Sequence, residues 1–241
     1  MKLEEMTWPE IEEYLGTRRG VILPAGSVEQ HGPVGLIGTD AICAREIAWA
    51  AADVCGAIVA PELCYAPAPF NMSFPGTVSL SPDTYQRVAT EVMQGLAHHG
   101  LSKIYVLNGH GANIVLLKRA AAEIDAEVLI RSWWDFDNVN ALRREFYGAW
   151  EGMRATPSEV AITQATHRVI EVPDLPPPRK LTSDYISAHA GDKHGPPDAH
   201  RREFPDGRVG SHSGLARPDH GRQLIEAATS AVATDFMRFA H

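Results

Sequence analysis

The sequence predicts one α/β domain with a largely parallel sheet, and three observations carry that prediction. Short apolar runs of strand length alternate along the chain with longer segments of helical periodicity. Helices rather than tight turns stand between successive apolar runs, so the connections are crossovers and neighbouring strands run parallel. Two polar, glycine-containing clusters follow directly on apolar runs, where open α/β sheets bind their ligands. The 241 residues suit a single domain, 1–241.

The elements follow in order. Val21-Ile22-Leu23, between Gly20 and Pro24, reads as a short buried strand. Thr39 is placed to cap a helix to about Val54, and Gly56 is a stop signal. Ala57 to Ala60 is a second strand, ended by Pro61. Pro82 opens a helix with Tyr85, Val88, Val92 and Leu96 on one face, stopping at Gly100. Ile104-Tyr105-Val106-Leu107 is a third strand, followed by a helix over Ile114 to Ile124 and a fourth strand at Glu127 to Ser132. The stretch at about 173–212 is rich in Pro, Gly and His and reads as a polar surface excursion. A final helix spans roughly Asp219 to Phe239.

Composition narrows the function. Hydrophobic residues at 44% and charged residues at 22% fit a globular protein with a real core. The net charge of −8 argues against a nucleic-acid surface, which needs clustered Lys and Arg. The longest clean apolar run, Ile47 to Ala52, is too short for a bilayer, so no membrane partner is expected. Met1-Lys2-Leu3-Glu4-Glu5 is acidic and lacks a signal peptide's apolar core. Cys43 and Cys55 share one expected helix, roughly 18 Å apart at about 1.5 Å per residue, and cannot pair. With Cys64 these are the only cysteines, and a reduced, cytoplasmic protein is expected.

The polar clusters hold the chemistry. Glu29 and His31, two residues apart in an extended segment, face the same side. Asp40 lies in the first turn of the next helix, and His110 in the loop Asn108-Gly109-His110-Gly111-Ala112-Asn113. Two carboxylates and two imidazoles form the O/N set that suits Zn²⁺ or Mn²⁺. A bridging carboxylate would let two metals sit about 3.5–4 Å apart. Blander readings stand beside this one: Asp40 suits a helix N-terminus electrostatically, and the Asn108 loop could turn the chain or cradle a phosphate.

Leu23-Pro24-Ala25-Gly26-Ser27-Val28-Glu29-Gln30-His31-Gly32-Pro33, followed by Gly38-Thr39-Asp40, resembles the opening signature of the creatininase (creatinine amidohydrolase) family. Phe74-Pro75-Gly76-Thr77 and Asn108 to Asn113 resemble its second and third motifs, in the right order. The resemblance implies a three-layer α/β/α sandwich with two divalent ions per chain (Zn²⁺, Mn²⁺ or Fe²⁺), cleaving C–N amide bonds of small molecules, in a homo-oligomer that is often a hexamer. By that resemblance Glu29 and His110 hold one metal, His31 the other, and Asp40 bridges both. Arg154-Ala155-Thr156-Pro157-Ser158-Glu159 matches the family's His-Ala-Gly-Glu-x-Glu-Thr-like helix start, which makes Glu159 the fifth ligand. The alternative for Glu159 is a first-turn carboxylate that needs no metal.

Three departures bear on catalysis. Arg154 stands where the family has a His suited to proton transfer, and Gly111 where creatinine-cleaving members have an aromatic. Ala112 replaces the Glu those members carry two residues after the motif His. Creatinine is therefore not the expected substrate. Glu159, His110 and Arg154 are the expected catalytic groups. His189-Ala190-Gly191-Asp192 mimics the His-Ala-Gly motif but has no apolar helix behind it. Trp133 and Trp134 follow a strand end and could line the pocket or pack in the core. Rival readings are a metallopeptidase, a C–C hydrolase on a cyclic ketose, and a nucleotide-binding module; the last lacks G-x-G-x-x-G and a P-loop lysine.

Overall fold

The computed structural model describes residues 1–189 and 194–241. In chain order, α1 (Trp8–Leu15) precedes β1 (Gly20–Ala25), α2 (Thr39–Cys55) and β2 (Ile58–Val59). Then come α3 (Pro82–His98), β3 (Lys103–Asn108), α4 (Asn113–Ala121), β4 (Glu127–Ser132) and α5 (Asp137–Tyr147). The chain continues through α6 (Pro157–Thr166), α7 (Ser183–His189), α8 (Pro197–Glu203) and α9 (Pro218–Ala240).

The four strands are all parallel, in the order β2-β1-β3-β4. Central β1 is buried along its whole length, as its unbroken apolar run requires of a strand covered on both faces. Side chains alternate between two cores. Val21, Leu23, Ile104 and Val106 pack with Tyr85, Met93 and Leu117 of α3 and α4. Ile22, Tyr105 and Leu107 pack with Ile47, Val139, Ile162 and Leu224 of α2, α5, α6 and α9. The result is the α/β/α sandwich that the resemblance implies.

Register decides where the site falls. Ala25 is level with Asn108, and Asn108 with Ser132, so β1, β3 and β4 end in one row. The chain goes from β1 to its neighbour on one side, then crosses to β3 on the other. The gap between the ends of β1 and β3 is thus a topological switch point. Asn108 fastens the row: its Nδ2 donates to the His110 carbonyl at 2.8 Å and to Ser132 Oγ at 3.2 Å. Its Oδ1 accepts from His110 N and Asn113 Nδ2.

Four expectations need correcting. Gly38, not Thr39, is the N-cap of α2, because Thr39 is already helical and its hydroxyl donates to the Leu36 carbonyl at 2.6 Å. Helix α4 ends at Ala121 rather than Ile124, and β2 is only two residues long. The stretch after residue 173 is not wholly surface: His200, Phe204, Arg208 and Val209 are buried. Part of it forms a strap. Val209 bridges Arg154 antiparallel, Met153 N donates to the Val209 carbonyl at 3.0 Å, and Gln30 Nε2 donates to the Gly207 carbonyl at 3.0 Å.

Helix α2 starts against bare backbone. A Cβ at Gly109 would lie 2.2 Å from the Asp40 carbonyl oxygen, and one at Gly26 would lie 2.3 Å from Ala41 N. Both glycines therefore set how near Asp40 comes to the strand ends. Gly109→Ala should destabilise the fold by about 1–3 kcal/mol through overpacking. Urea unfolding with an unchanged midpoint would show that α2 can simply retreat.

Candidate metal centre

The loop after β1 carries Glu29 and His31, the first turn of α2 carries Asp40, the loop after β3 carries His110, and the first turn of α6 carries Glu159. All five are buried, and Arg154 with them. Five of these six, His31, Asp40, His110, Arg154 and Glu159, line one cavity of about 200 Å³ that Trp133 and Trp134 also face. The two indoles meet edge to face, with centroids 5.4 Å apart.

Asp40 lies between the two imidazoles. Its Oδ1 is 2.9 Å from His31 Nε2, and its Oδ2 is 3.0 Å from His110 Nδ1. Each imidazole spends its other nitrogen on a backbone carbonyl: His31 Nδ1 on Glu29 at 3.0 Å, His110 Nε2 on Pro67 at 3.0 Å. A carbonyl only accepts, so those nitrogens carry the protons. In the neutral rings the remaining nitrogens then aim their lone pairs at carboxylates. Glu29 Oε1 completes the His110 side at 3.7 Å, and Glu159 Oε1 the His31 side at 3.6 Å. One ligand atom each from Glu29, His31 and Asp40 lies within 4.8 Å of the others.

That donor set fits divalent cations. Among the described residues, buried Glu29 Oε2 meets no hydrogen-bond donor, and Asp40 Oδ2 faces the His110 imidazole; ionised carboxylates can only accept. Lone pairs facing uncompensated carboxylate oxygens are costly in a buried site unless a cation or protons lie between them. Protons alone give the pattern of shifts seen here. Burial would keep His31 neutral, but the adjacent Asp40 outweighs it and lifts His31 to about 10. Burial likewise opposes the Asp40 charge, yet His31 and His110 hold Asp40 well below the usual carboxylate range. Glu159 goes the other way: burial raises it to about 7 against the pull of His31.

Glu159 starts α6 as a capping carboxylate and also lies at the cavity. Its Oε1 accepts from Thr156 N at 2.6 Å and its own N–H donates to Thr156 Oγ1 at 3.3 Å, a capping box that starts α6. The same carboxylate faces His31. Arg154 donates from Nη1 to Glu29 Oε1. His189 has its contacts elsewhere, stacked on Tyr185 at 3.8 Å and next to His194 at 5.4 Å. Ala190, Gly191 and Asp192, the rest of that His-Ala-Gly mimic, lie outside the described residues.

Several contributors escape sequence reasoning. Arg143 lines the cavity from α5 and pairs with Glu151 at 2.9 Å; nothing in the charged run around it marks one arginine. Gln30 sits between two candidate ligands and donates from Nε2 to Asn71 Oδ1 and the Gly207 carbonyl, while its N–H donates to Thr77 Oγ1. Its place inside the opening signature was the available signal.

A parallel α/β sandwich with buried carboxylates and imidazoles at its switch point defines an α/β protein with a candidate divalent-metal centre. Within that class, the chain belongs to the creatininase family: residues 4–236 match the family model described as creatinine amidohydrolase. It is 30% identical over 159 residues to creatinine amidohydrolase of Pseudomonas putida, covering 59% of this chain and 61% of that one. It is 33% identical over 119 residues to a mycofactocin precursor peptide peptidase of Mycolicibacterium smegmatis, covering 47% and 48%. A 3-dehydro-scyllo-inosose hydrolase of Thermotoga maritima is 32% identical over 114 residues, covering 47% and 37%. The chain thus spans less than two thirds of each of these curated relatives. In structure it resembles a manganese creatininase, TM-score 0.75 at 23% identity, over 99% of this chain and 98% of that one. Zinc-containing creatininase has the same fold, TM-score 0.74 at 23% identity, over 99% and 98%. Among the described residues no helix is long and apolar enough to cross a membrane.

His200, next to this region, has a pH signature of its own. It packs on Phe70 and Phe204 at 5.0 and 5.4 Å, and burial, then the Arg154 charge, push it down to about 4. The folded imidazole stays neutral where the unfolded one, near 6.5, takes a proton. The unfolded state binds more protons between about pH 6.5 and 4, so stability drops as pH falls through that window. His200→Phe should lose less stability than the parent over the same range in urea titrations. Equal losses would mean that His200 charges freely within the fold.

Proposed function

We propose that the chain is a metal-dependent amidohydrolase that cleaves a C–N amide bond of a small molecule. Glu29 and His110 would hold one divalent ion, His31 and Glu159 a second, and Asp40 both. The observation that carries this reading is the pair of imidazoles turned by backbone carbonyls onto opposite oxygens of one buried carboxylate. Bound ions would supply Lewis acidity and a nucleophilic water at neutral pH. Zinc and manganese both suit the O/N ligands.

The protein's own groups do the rest. The carbonyls of Glu29 and Pro67 fix ring tautomer and direction, the outer-sphere role that tunes a ligand. Trp133 and Trp134 give the cavity two indole-lined positions, and Gly109 and Gly111 line it without side chains of their own. At about 200 Å³ the cavity is smaller than ordinary ligand pockets of about 300–1,000 Å³. Its size favours a small amide over a peptide, the substrate named for the mycobacterial relatives. Gly111 and Ala112, in place of the aromatic and the Glu, argue against creatinine itself.

Asp40 serves both halves, so Asp40→Ala should abolish both ions where the parent holds two per chain. Elemental analysis that finds two ions still bound would exclude the bridging role. Glu159→Gln separates the two duties of that residue, because a glutamine preserves the capping box but not the charge. It should weaken metal binding by at least the roughly 10–100-fold that loss of an outer-sphere partner costs, and turnover with it. His189→Ala should leave metal content unchanged. The reverse pattern in chelator competition would move the fifth ligand to residue 189.

A further inference from the structure

The motif Phe74-Pro75-Gly76-Thr77 supplies no candidate ligand, yet it ends on a peptide bond of the ligand loop. Thr77 N donates to the Phe74 carbonyl at 3.3 Å and closes a four-residue turn. Pro75 takes the second place of that turn and Gly76 the third, with φ +94°, the arrangement of a type II turn. A Cβ at Gly76 would also press on Ile37 Cδ1 at 3.1 Å, so the turn accounts for the motif's composition. Beyond it, Val78 runs antiparallel to Val28, and its N–H donates to the Val28 carbonyl at 2.9 Å. The turn thereby sets the buried Thr77 side chain against the ligand loop, where Oγ1 accepts from Gln30 N at 3.1 Å.

That N–H belongs to the peptide group joining Glu29 to Gln30. The carbonyl of the same group accepts from His31 Nδ1 at 3.0 Å. A peptide group is planar, so its N–H and C=O turn only together. Thr77 holds one end of the plane, and the His31 ring is tied to the other. Neighbouring positions are fixed as well: Glu29 N donates to the Ile37 carbonyl at 2.9 Å, and Gly32 N donates to Gln30 Oε1 at 2.8 Å. The Thr77 hydroxyl is the tie that bears directly on this plane. Its carbonyl keeps the His31 proton on Nδ1 and so leaves the Nε2 lone pair toward Asp40, 2.9 Å away.

We infer that Thr77 is a positioning residue for the His31 half of the metal centre: its hydroxyl fixes the Glu29–Gln30 peptide plane, and through that plane the tautomer and direction of the imidazole. Without the hydroxyl the Gln30 N–H becomes a buried donor with no acceptor. Rotation of the plane toward another acceptor would take the carbonyl away from Nδ1. This inference rests on the metal-dependent reading above.

The test is Co²⁺ titration against a competing chelator, with the visible absorption of the bound ion as a second readout. Thr77→Val keeps the shape and removes the acceptor, whereas Thr77→Ser keeps the acceptor. The parent should take up two ions per chain. Thr77→Val should bind one of them roughly 10–100-fold less tightly, the cost of losing an outer-sphere partner, and its absorption band should change. Thr77→Ser should restore both readouts. Urea midpoints of the metal-free proteins separate positioning from stability. A lower midpoint in Thr77→Val with cobalt affinity and band unchanged would make the hydroxyl merely structural and overturn the assignment. A Thr77→Ser that fails as Thr77→Val does would overturn it too. If Thr77→Val does not fold, Thr77→Ala, which leaves room for water at the N–H, is read against Thr77→Ser in its place. A parent that binds no cobalt overturns the metal-dependent reading together with this one. A parent with two cobalt ions and a Thr77→Val indistinguishable from it overturns the role of Thr77 alone.

Discussion

The position of one carboxylate between two oriented imidazoles is the constraint on which the rest of the structure depends. Asp40 presents an oxygen to His31 and the other to His110, and neither ring can turn without breaking a bond to a main-chain carbonyl. The carbonyls belong to separate segments, at Glu29 and Pro67. Holding the Glu29–His31 loop, the start of α2, the Pro67 segment and the His110 loop together is a demand on the backbone more than on side chains. Close approach of α2 to bare glycine backbone meets it.

The parallel sheet makes that demand affordable. Because Ala25, Asn108 and Ser132 are in register, the loops that follow them leave the sheet side by side. Asn108 then uses every side-chain polar atom on its neighbours in that row, so the His110 loop is fixed to β4 and to α4. The apolar strands lie beneath, and a polar cluster is tolerated only at their ends, where the ladder stops.

Much of this was legible in the sequence. Unbroken apolar runs at 21–23 and 104–107 signal strands covered on both faces, and polar clusters directly after them mark the switch point. Glu29, His31, Asp40 and His110 stand out because their residue types suit one chemistry. Glu159 is legible only through its likeness to a family motif, since a first-turn glutamate after Thr-Pro has an ordinary capping reading, which it also satisfies. The strap is the clearest failure. Its His, Gly and Pro content looks like surface, yet His200 packs on Phe70, Phe204 on Tyr185 and His200, and Arg208 is buried. Part of that burial comes from contacts with residues more than a hundred positions away, such as His200 with Phe70 and Gly207 with Gln30, which no local pattern records. Helix α5 is hidden for a related reason: its short apolar face is interleaved with charges, and it supplies Arg143 from an unmarked position.

The link between Gln30 and Gly207 spans 177 residues. During synthesis the Glu29–His31 loop leaves the ribosome early, and β1 can collapse with α2 long before the strap exists. The loop is held in its final shape only once residues near 207 and 209 have been made and have folded back. Completion of the centre is therefore a late, long-range event, slow in the manner of non-local contacts, and it follows the same order as the core, whose α9 residues Leu224 and Phe236 are made later still.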